Sequence, residues 1–224
     1  SQALYDVGLS IPQLRNFLIT HSHADHIGGL EEVMMNGRYI NPGRPTMVIT
    51  DTYREILWSQ SLRGGTASSE QRELTFDDFW DVITPIEAPG FPRETWECQV
   101  GTLNIKMPRT MHIPDASASW RDSFWSCGVI IDDQVLYTSD TRFDADLLLS
   151  FDHLMDFEVI FHDCQLFTAG VHASIHQLAR LPDKLKSKMV LMHYGDNWRD
   201  FVVMAKEAGF HSWAQQGHHY SFGC

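Results

Sequence analysis

"FLITHSHADHIGGL", residues 17–30, places three histidines and an aspartate within six positions, between an apolar run and a pair of glycines. His21 and His23 stand two apart at the end of a predicted strand, so their side chains leave on the same side and can share one ion. Asp25 and His26 follow where the chain turns into a helix; they point elsewhere and suit a second ion. Zinc takes several N and O ligands, so six residues cannot complete two shells. Further His and Asp residues are therefore expected at the ends of other strands. His112 in "MPRTMHIPD", Asp140 after "VLYTSD" and His193 ending "KMVLMH" each follow an apolar run, where a sheet delivers residues to one rim.

The H-x-H-x-D-H motif, followed in order by His112, Asp140 and His193, resembles the metallo-β-lactamase superfamily over essentially the whole chain. The resemblance implies an α/β fold, a four-layer αββα sandwich with two divalent metal ions at one edge, Zn²⁺ in the first place and Mn²⁺ as the alternative. It assigns His21, His23 and His112 to one ion, Asp25, His26 and His193 to the other, and Asp140 to both. The family usually carries a few strands ahead of "LYDVG", and this sequence lacks them. Either an upstream segment precedes Ser1 or the first sheet is completed differently.

Two ions about 3.5–4 Å apart can share a hydroxide and clamp the attacking and leaving oxygens. That chemistry serves phosphodiesters, thioesters, lactones and β-lactams alike, and the superfamily alone does not choose among them. His23 is not the Glu of the flavodiiron type. His26 in place of Arg, and Asp140 in place of Cys, disfavour the commonest zinc β-lactamase class. Quorum-quenching lactonases carry a Tyr three residues after the bridging Asp, where this chain has Phe143. His172 in "VHAS" is similar to the short His motif that precedes the last ligand in ribonuclease Z and related phosphodiesterases. There the histidine lies by the scissile phosphate, and an imidazole near neutrality can protonate a leaving oxygen. The catalytic candidates are thus Asp25 and His172. Only 27 residues separate His112 from Asp140, too few for the tRNA-gripping arm of ribonuclease Z. The expectation is a binuclear phosphodiesterase acting on a small cyclic nucleotide, in the branch that includes phage anti-Pycsar-type enzymes. A lactonase or other carboxylic-ester or β-lactam hydrolase of the same fold is the alternative. A binding protein that keeps its metals without turnover is the non-enzymatic one.

Composition agrees with a globular chain: 224 residues, 43% apolar and 21% charged. One domain spanning 1–224 is expected. The net charge of −12 opposes binding to a nucleic-acid duplex or tRNA, which calls for a basic surface. No apolar run approaches the ~20 residues a bilayer span requires, so no membrane partner is expected. Cys98, Cys127, Cys164 and Cys224 are scattered, which favours reduced thiols and a cytoplasmic location. Relatives resembling this chain are often homodimers, and a homodimer is the expectation here.

Predicted strands are "LYDVG" (4–8), "NFLIT" (16–20), "TMVIT" (46–50), "TWECQV", "LNIKMP", "FWSCGVIID", "QVLYTS", "FEVIFHD" and "KMVLMH". Predicted helices cover 27–35, 51–60 with Asp51 as N-cap, "FDDFWDVI", 144–149, 173–180 and 199–208, and residues 61–75 read as a loop. His162 and Asp163 follow a strand and suit either packing or the orientation of a ligand histidine. Asp115, Ser117 and Ser119 read as a turn that faces substrate at most. Trp120, Phe124 and Trp125 are equally suited to base stacking, a dimer contact or a core. Arg109, Arg121 and Arg142 flank ligand segments, with surface ion pairs as the default. His153, His176, His211, His218 and His219 receive no role.

Overall fold

The structure is a computed structural model describing residues 2–222, so Cys224 lies outside the described residues. The chain divides into two compact units, Ser1–Ile86 and Glu87–Cys224.

The first unit is built on a parallel sheet of β1 (Asn16–Leu18), β2 (Thr46–Val48) and β3 (Asp81–Ile83), in that order. Its core holds Met47, Ile49, Tyr53, Leu57 and Trp80, all at most 1% exposed. Phe17 meets Trp80 edge-on at 5.4 Å, one of the two geometries aromatic quadrupoles favour. The segment "LYDVG" is not a strand: α1 (Gln2–Asp6) occupies it, with no buried residue to hold it in a sheet. The Gln2 amide donates to Asp6 one turn on at 2.7 Å. Gly8, at φ +77°, ends the turn with Gly8 N–H to Tyr5 O at 2.9 Å and Leu9 N–H to Leu4 O at 2.8 Å. A left-handed glycine is a helix stop, and that signal outweighs the apolar letters of the segment.

Helices α2 (Ala24–Ile27) and α3 (Leu30–Met35) are separated by Gly28 and Gly29, and α3 runs on into a π-helical turn at Asn36–Ile40. Helix α4 (Asp51–Leu57) is capped by Thr50, whose hydroxyl accepts the Tyr53 N–H at 3.2 Å. Asp51 is therefore the first helical residue and not the cap; its carboxylate complements the positive end of the helix. A π-helical turn at Trp58–Leu62 and α5 (Arg63–Thr66) replace the first part of the expected loop. "FDDFWDVI" is half helical: a single 3₁₀ turn, Phe76–Asp78, precedes β3, whose backbone pairs with β2.

The second unit carries an eight-stranded sheet in the order β11-β10-β9-β8-β7-β6-β5-β4. These are β4 (Ile86–Glu87), β5 (Thr95–Val100), β6 (Leu103–Pro108), β7 (Val129–Ile131), β8 (Val135–Tyr137), β9 (Val159–Asp163), β10 (Met189–Met192) and β11 (Ser212–Trp213). The division between units falls within β4. The β5–β6 and β6–β7–β8 pairings are antiparallel. Asp132 and Asp133, at φ +50° and +59°, turn β7 into β8 in left-handed conformation, with the Gln134 N–H donating to Ile131 O at 3.0 Å. From β8 to β11 the strands run parallel, connected by α6 (Ala145–Met155), then α7 (Ile175–Leu178) with α8 (Asp183–Lys186), and α9 (Val202–Ala208). Parallel strands release their carboxyl ends on one edge, and loops there carry the binding groups.

Helix α6 is fixed at its start by Asp144, which accepts the Leu147 N–H at 3.0 Å and binds Arg93 through both oxygens. Its inner face buries Leu147, Leu148 and Phe151 completely against Ile130, Leu136 and Ile160 of the sheet. Each such side chain contributes about 1.5–3 kcal/mol on removal from water. Strands β3, β4 and β11 are the sheet elements that the periodicity did not mark; β4 and β11, at two residues each, are too short to alternate. No helix among the described residues is long and apolar enough to cross a membrane.

Candidate metal centre

In the first unit, β1 releases the chain toward His21, and His23 stands at the N-terminus of α2 with Asp25 and His26 in its single turn. His21 is 3% exposed. The turn folds His26 back so that its ring lies 4.0 Å from that of His21, closer than His23 at 4.6 Å. Thr20 links the two: its hydroxyl lies 3.2 Å from His21 Nδ1 and 3.3 Å from His26 Nδ1. One hydroxyl can donate to one ring and accept from the other, so both imidazoles are oriented by a single side chain. Asp25 Oδ2 is 3.6 Å from His26 Nε2. Thr20 carried no signal in the sequence, because a buried threonine at a strand end is commonplace.

In the second unit, His112 follows β6, Asp140 follows β8 and His193 follows β10. Asp140 is 3% exposed, with His112 Nε2 at 3.9 Å from Oδ2 and His193 Nδ1 at 3.8 Å from Oδ1. His112 Nδ1 donates to the Val171 carbonyl at 3.0 Å, which places the ring's lone pair at Nε2, on the Asp140 side. Asp140, His172 and His193 each offer one donor atom, all within 4.8 Å of one another. Within or beside this group two residues have left-handed backbone, His193 at φ +57° and Ser139 at φ +54°. Such conformations are costly for residues with a β-carbon and concentrate at functional sites.

Asp163, at the end of β9, organises this half. Its Oδ2 accepts from His172 Nδ1 at 2.7 Å and from the Thr141 N–H at 2.9 Å, and its Oδ1 accepts from His193 Nδ1 at 3.1 Å. Burial opposes its charge, yet the bonds from His172 and His193 hold the carboxyl below its ordinary value. A carboxylate only accepts, so each imidazole directs an N–H at it and keeps its other nitrogen for chemistry. Of the pair at 162–163, Asp163 bonds the His172 and His193 rings, and His162 packs. His162 is fully buried, burial lowers its pKa, and its Nδ1 donates to the Asp163 carbonyl at 2.6 Å.

The flanking arginines are scaffold. Arg109 is 8% exposed and donates to the carbonyls of Ser126 and Trp120 at 3.1 and 3.2 Å, between the rings of Trp120 and Trp125. Arg142 donates to Ser117 O at 2.8 Å. Each also makes the ion pair expected by default, Arg109 with Glu94 at 3.4 Å and Arg142 with Asp115 at 3.7 Å, beside these carbonyl bonds. The "DASAS" stretch is a turn, closed by Ser119 and Ser117 on the side chain and carbonyl of Asp122. Arg121 stacks on Trp120 at 4.2 Å, Trp125 packs near Trp96 at 6.1 Å, and Phe124 is exposed.

The donor set, imidazole nitrogens with a buried carboxylate, fits a borderline divalent cation. In fold, the chain is similar to the metallo-β-lactamase fold protein YhfI from Bacillus subtilis, with a TM-score of 0.64 at 14% identity over 93% of this chain and 78% of that one. It is also similar to human tRNase Z, short form (TM-score 0.55, 15% identity, 88% and 78% covered), and to unliganded yeast PDE1 (0.56, 14%, 94% and 68%). The fold is thus that of the metallo-β-lactamases, as the H-x-H-x-D-H motif implied. Residues 1–220 match the family model for anti-Pycsar protein Apyc1, and the chain belongs to that family. Relatives bearing that name include one from Bacillus phage vB_BsuM-Goe3, 35% identical over 96% of this chain and 81% of its own length. Another, from Paenibacillus harenae, is 38% identical over 87% of this chain and 74% of its own.

Proposed function

We propose that this chain is a metal-dependent phosphodiesterase that opens a small 3′,5′-cyclic nucleotide. The observation that carries the reading is the Asp163–His172 pair, 2.7 Å apart beside Asp140 and His193. Relatives named anti-Pycsar proteins, and fold neighbours named tRNase Z and PDE1, support the same direction. His21, His23 and His112 are proposed to hold one ion, Asp25, His26 and His193 the other, with Asp140 serving both. Bound divalent ions supply Lewis acidity and lower the pKa of water.

The residues do the remainder. His172 Nδ1–H is fixed on Asp163, so Nε2 is the atom that carries a proton to the leaving ribose oxygen as the P–O bond breaks. The buried carboxylate compensates the imidazolium before transfer, the logic by which an acid orients a catalytic histidine. Asp25 takes up the proton of the attacking water. A positioned general acid contributes roughly 10²–10⁴-fold. His172→Ala is therefore expected to lower turnover of 3′,5′-cyclic nucleotides by at least ~10²-fold with metal content intact. Unchanged turnover contradicts the role of His172.

A further inference from the structure

Thr141, the residue after Asp140, is fully buried and bonded to three other segments of the second unit. Its N–H donates to Asp163 Oδ2 at 2.9 Å. Its carbonyl accepts the Ala173 N–H at 3.0 Å, one residue past His172. Its hydroxyl donates toward the Met111 carbonyl at 3.1 Å, one residue before His112, and lies equally close to the Arg142 carbonyl. The His112 ring closes the circuit by donating to Val171 O at 3.0 Å. The segments carrying His112, Asp140 and His172 are thus each tied to the other two, with Asp163 fastening His193 to the same knot.

Two of Thr141's three ties are backbone groups that any residue would supply. The hydroxyl is the part that only Thr or Ser provides; it joins the Asp140 and His112 segments beside the Arg142 N–H, which donates to the same Met111 carbonyl at 2.7 Å. The Thr141 β-branch leaves few χ1 rotamers open, which fixes the hydroxyl's direction. We infer that Thr141 is a positioning residue for the metal centre, fixing the separation of His112 and Asp140 at the Met111 carbonyl together with the Arg142 N–H. This inference rests on the ligand reading proposed above. Partners that orient metal ligands from outside are worth ~10–100-fold in metal affinity.

The test is Zn²⁺ affinity of the full chain, measured by competition with a chromophoric chelator, beside the d–d spectrum of the Co²⁺ form. Thr141→Val keeps the shape and removes the hydroxyl; Thr141→Ser keeps the hydroxyl. Thr141→Val is expected to weaken Zn²⁺ binding by at least ~10-fold and to alter the Co²⁺ spectrum, while Thr141→Ser stays within about threefold of the parent. Equal affinity for Thr141→Val and the parent overturns the inference, as does equal weakening by Val and Ser. If Thr141→Val does not fold, Thr141→Ala replaces it, and Ser must bind at least ~10-fold tighter than Ala. A parent chain that binds no Zn²⁺ or Co²⁺ overturns instead the ligand reading on which the inference stands.

Discussion

Asp163 and His172 separate two effects that a catalytic histidine usually confounds. Asp163 holds both His172 and His193, whereas His172 is proposed to act on the substrate alone. Asp163→Asn keeps the volume but replaces one acceptor oxygen with an NH₂ facing an imidazole N–H. Metal affinity and turnover are both expected to fall, by ~10–100-fold each, where His172→Ala lowers turnover only. Chelator competition and steady-state rates on the two variants check this, and Asp163→Asn with parental metal affinity contradicts it. A residue remote from the site gives a pH-dependent counterpart. Asp156 ends α6 at φ +52° and is held down to about 2 by hydrogen bonds from Lys188 and Lys184. A carboxyl whose folded pKa lies below its unfolded value of 3.8 stabilises above that value and loses the contribution as pH falls toward 2. Asp156→Asn, which tolerates the left-handed backbone, is expected to be less stable than the parent at pH 6 and equal to it near pH 2. Urea denaturation across that range checks it. The effect is exposed and shrinks with added salt.

Among the elements, α6 begins close in sequence to the candidate site, its cap Asp144 lying four residues after Asp140. Phe151 on its buried face stacks on Phe91 with centroids 5.7 Å apart and rings parallel. Phe151→Ala is expected to cost about 3–5 kcal/mol in chemical denaturation, through lost transfer energy and a residual cavity. A cost under about 1 kcal/mol would show that the helix is not anchored there. Most strands of the second unit were legible, because "TWECQV" and "FEVIFHD" are rich in β-branched and aromatic residues and "LNIKMP" alternates Leu103, Ile105 and Met107 with polar residues. "LYDVG" was misread because its letters suit a strand while the decisive residue, Gly8, acts through a left-handed φ. "FDDFWDVI" was misread for another reason: its last three residues join a sheet through a partner over thirty residues away.

Across the whole molecule, the motif at 21–26 was readable because its spacing is local, and the order of His112, Asp140 and His193 followed from strand ends. The Asp163–His172–His193 link spans 9 and 30 residues and leaves no local pattern, so only the fold displays it. The same limit hid the use of Arg109 and Arg142 as scaffold. With both so engaged, and a net charge of −12, the proposed reading assigns the attraction of an anionic phosphodiester to bound cations. Hydrolysis of 3′,5′-cyclic mononucleotides by the metal-loaded chain, alongside bis-p-nitrophenyl phosphate and an acyl-homoserine lactone, tests this account most directly. It predicts cyclic-nucleotide opening that chelation abolishes and Zn²⁺ or Mn²⁺ restores. Lactone hydrolysis without phosphodiester hydrolysis, or turnover indifferent to chelation, would contradict it.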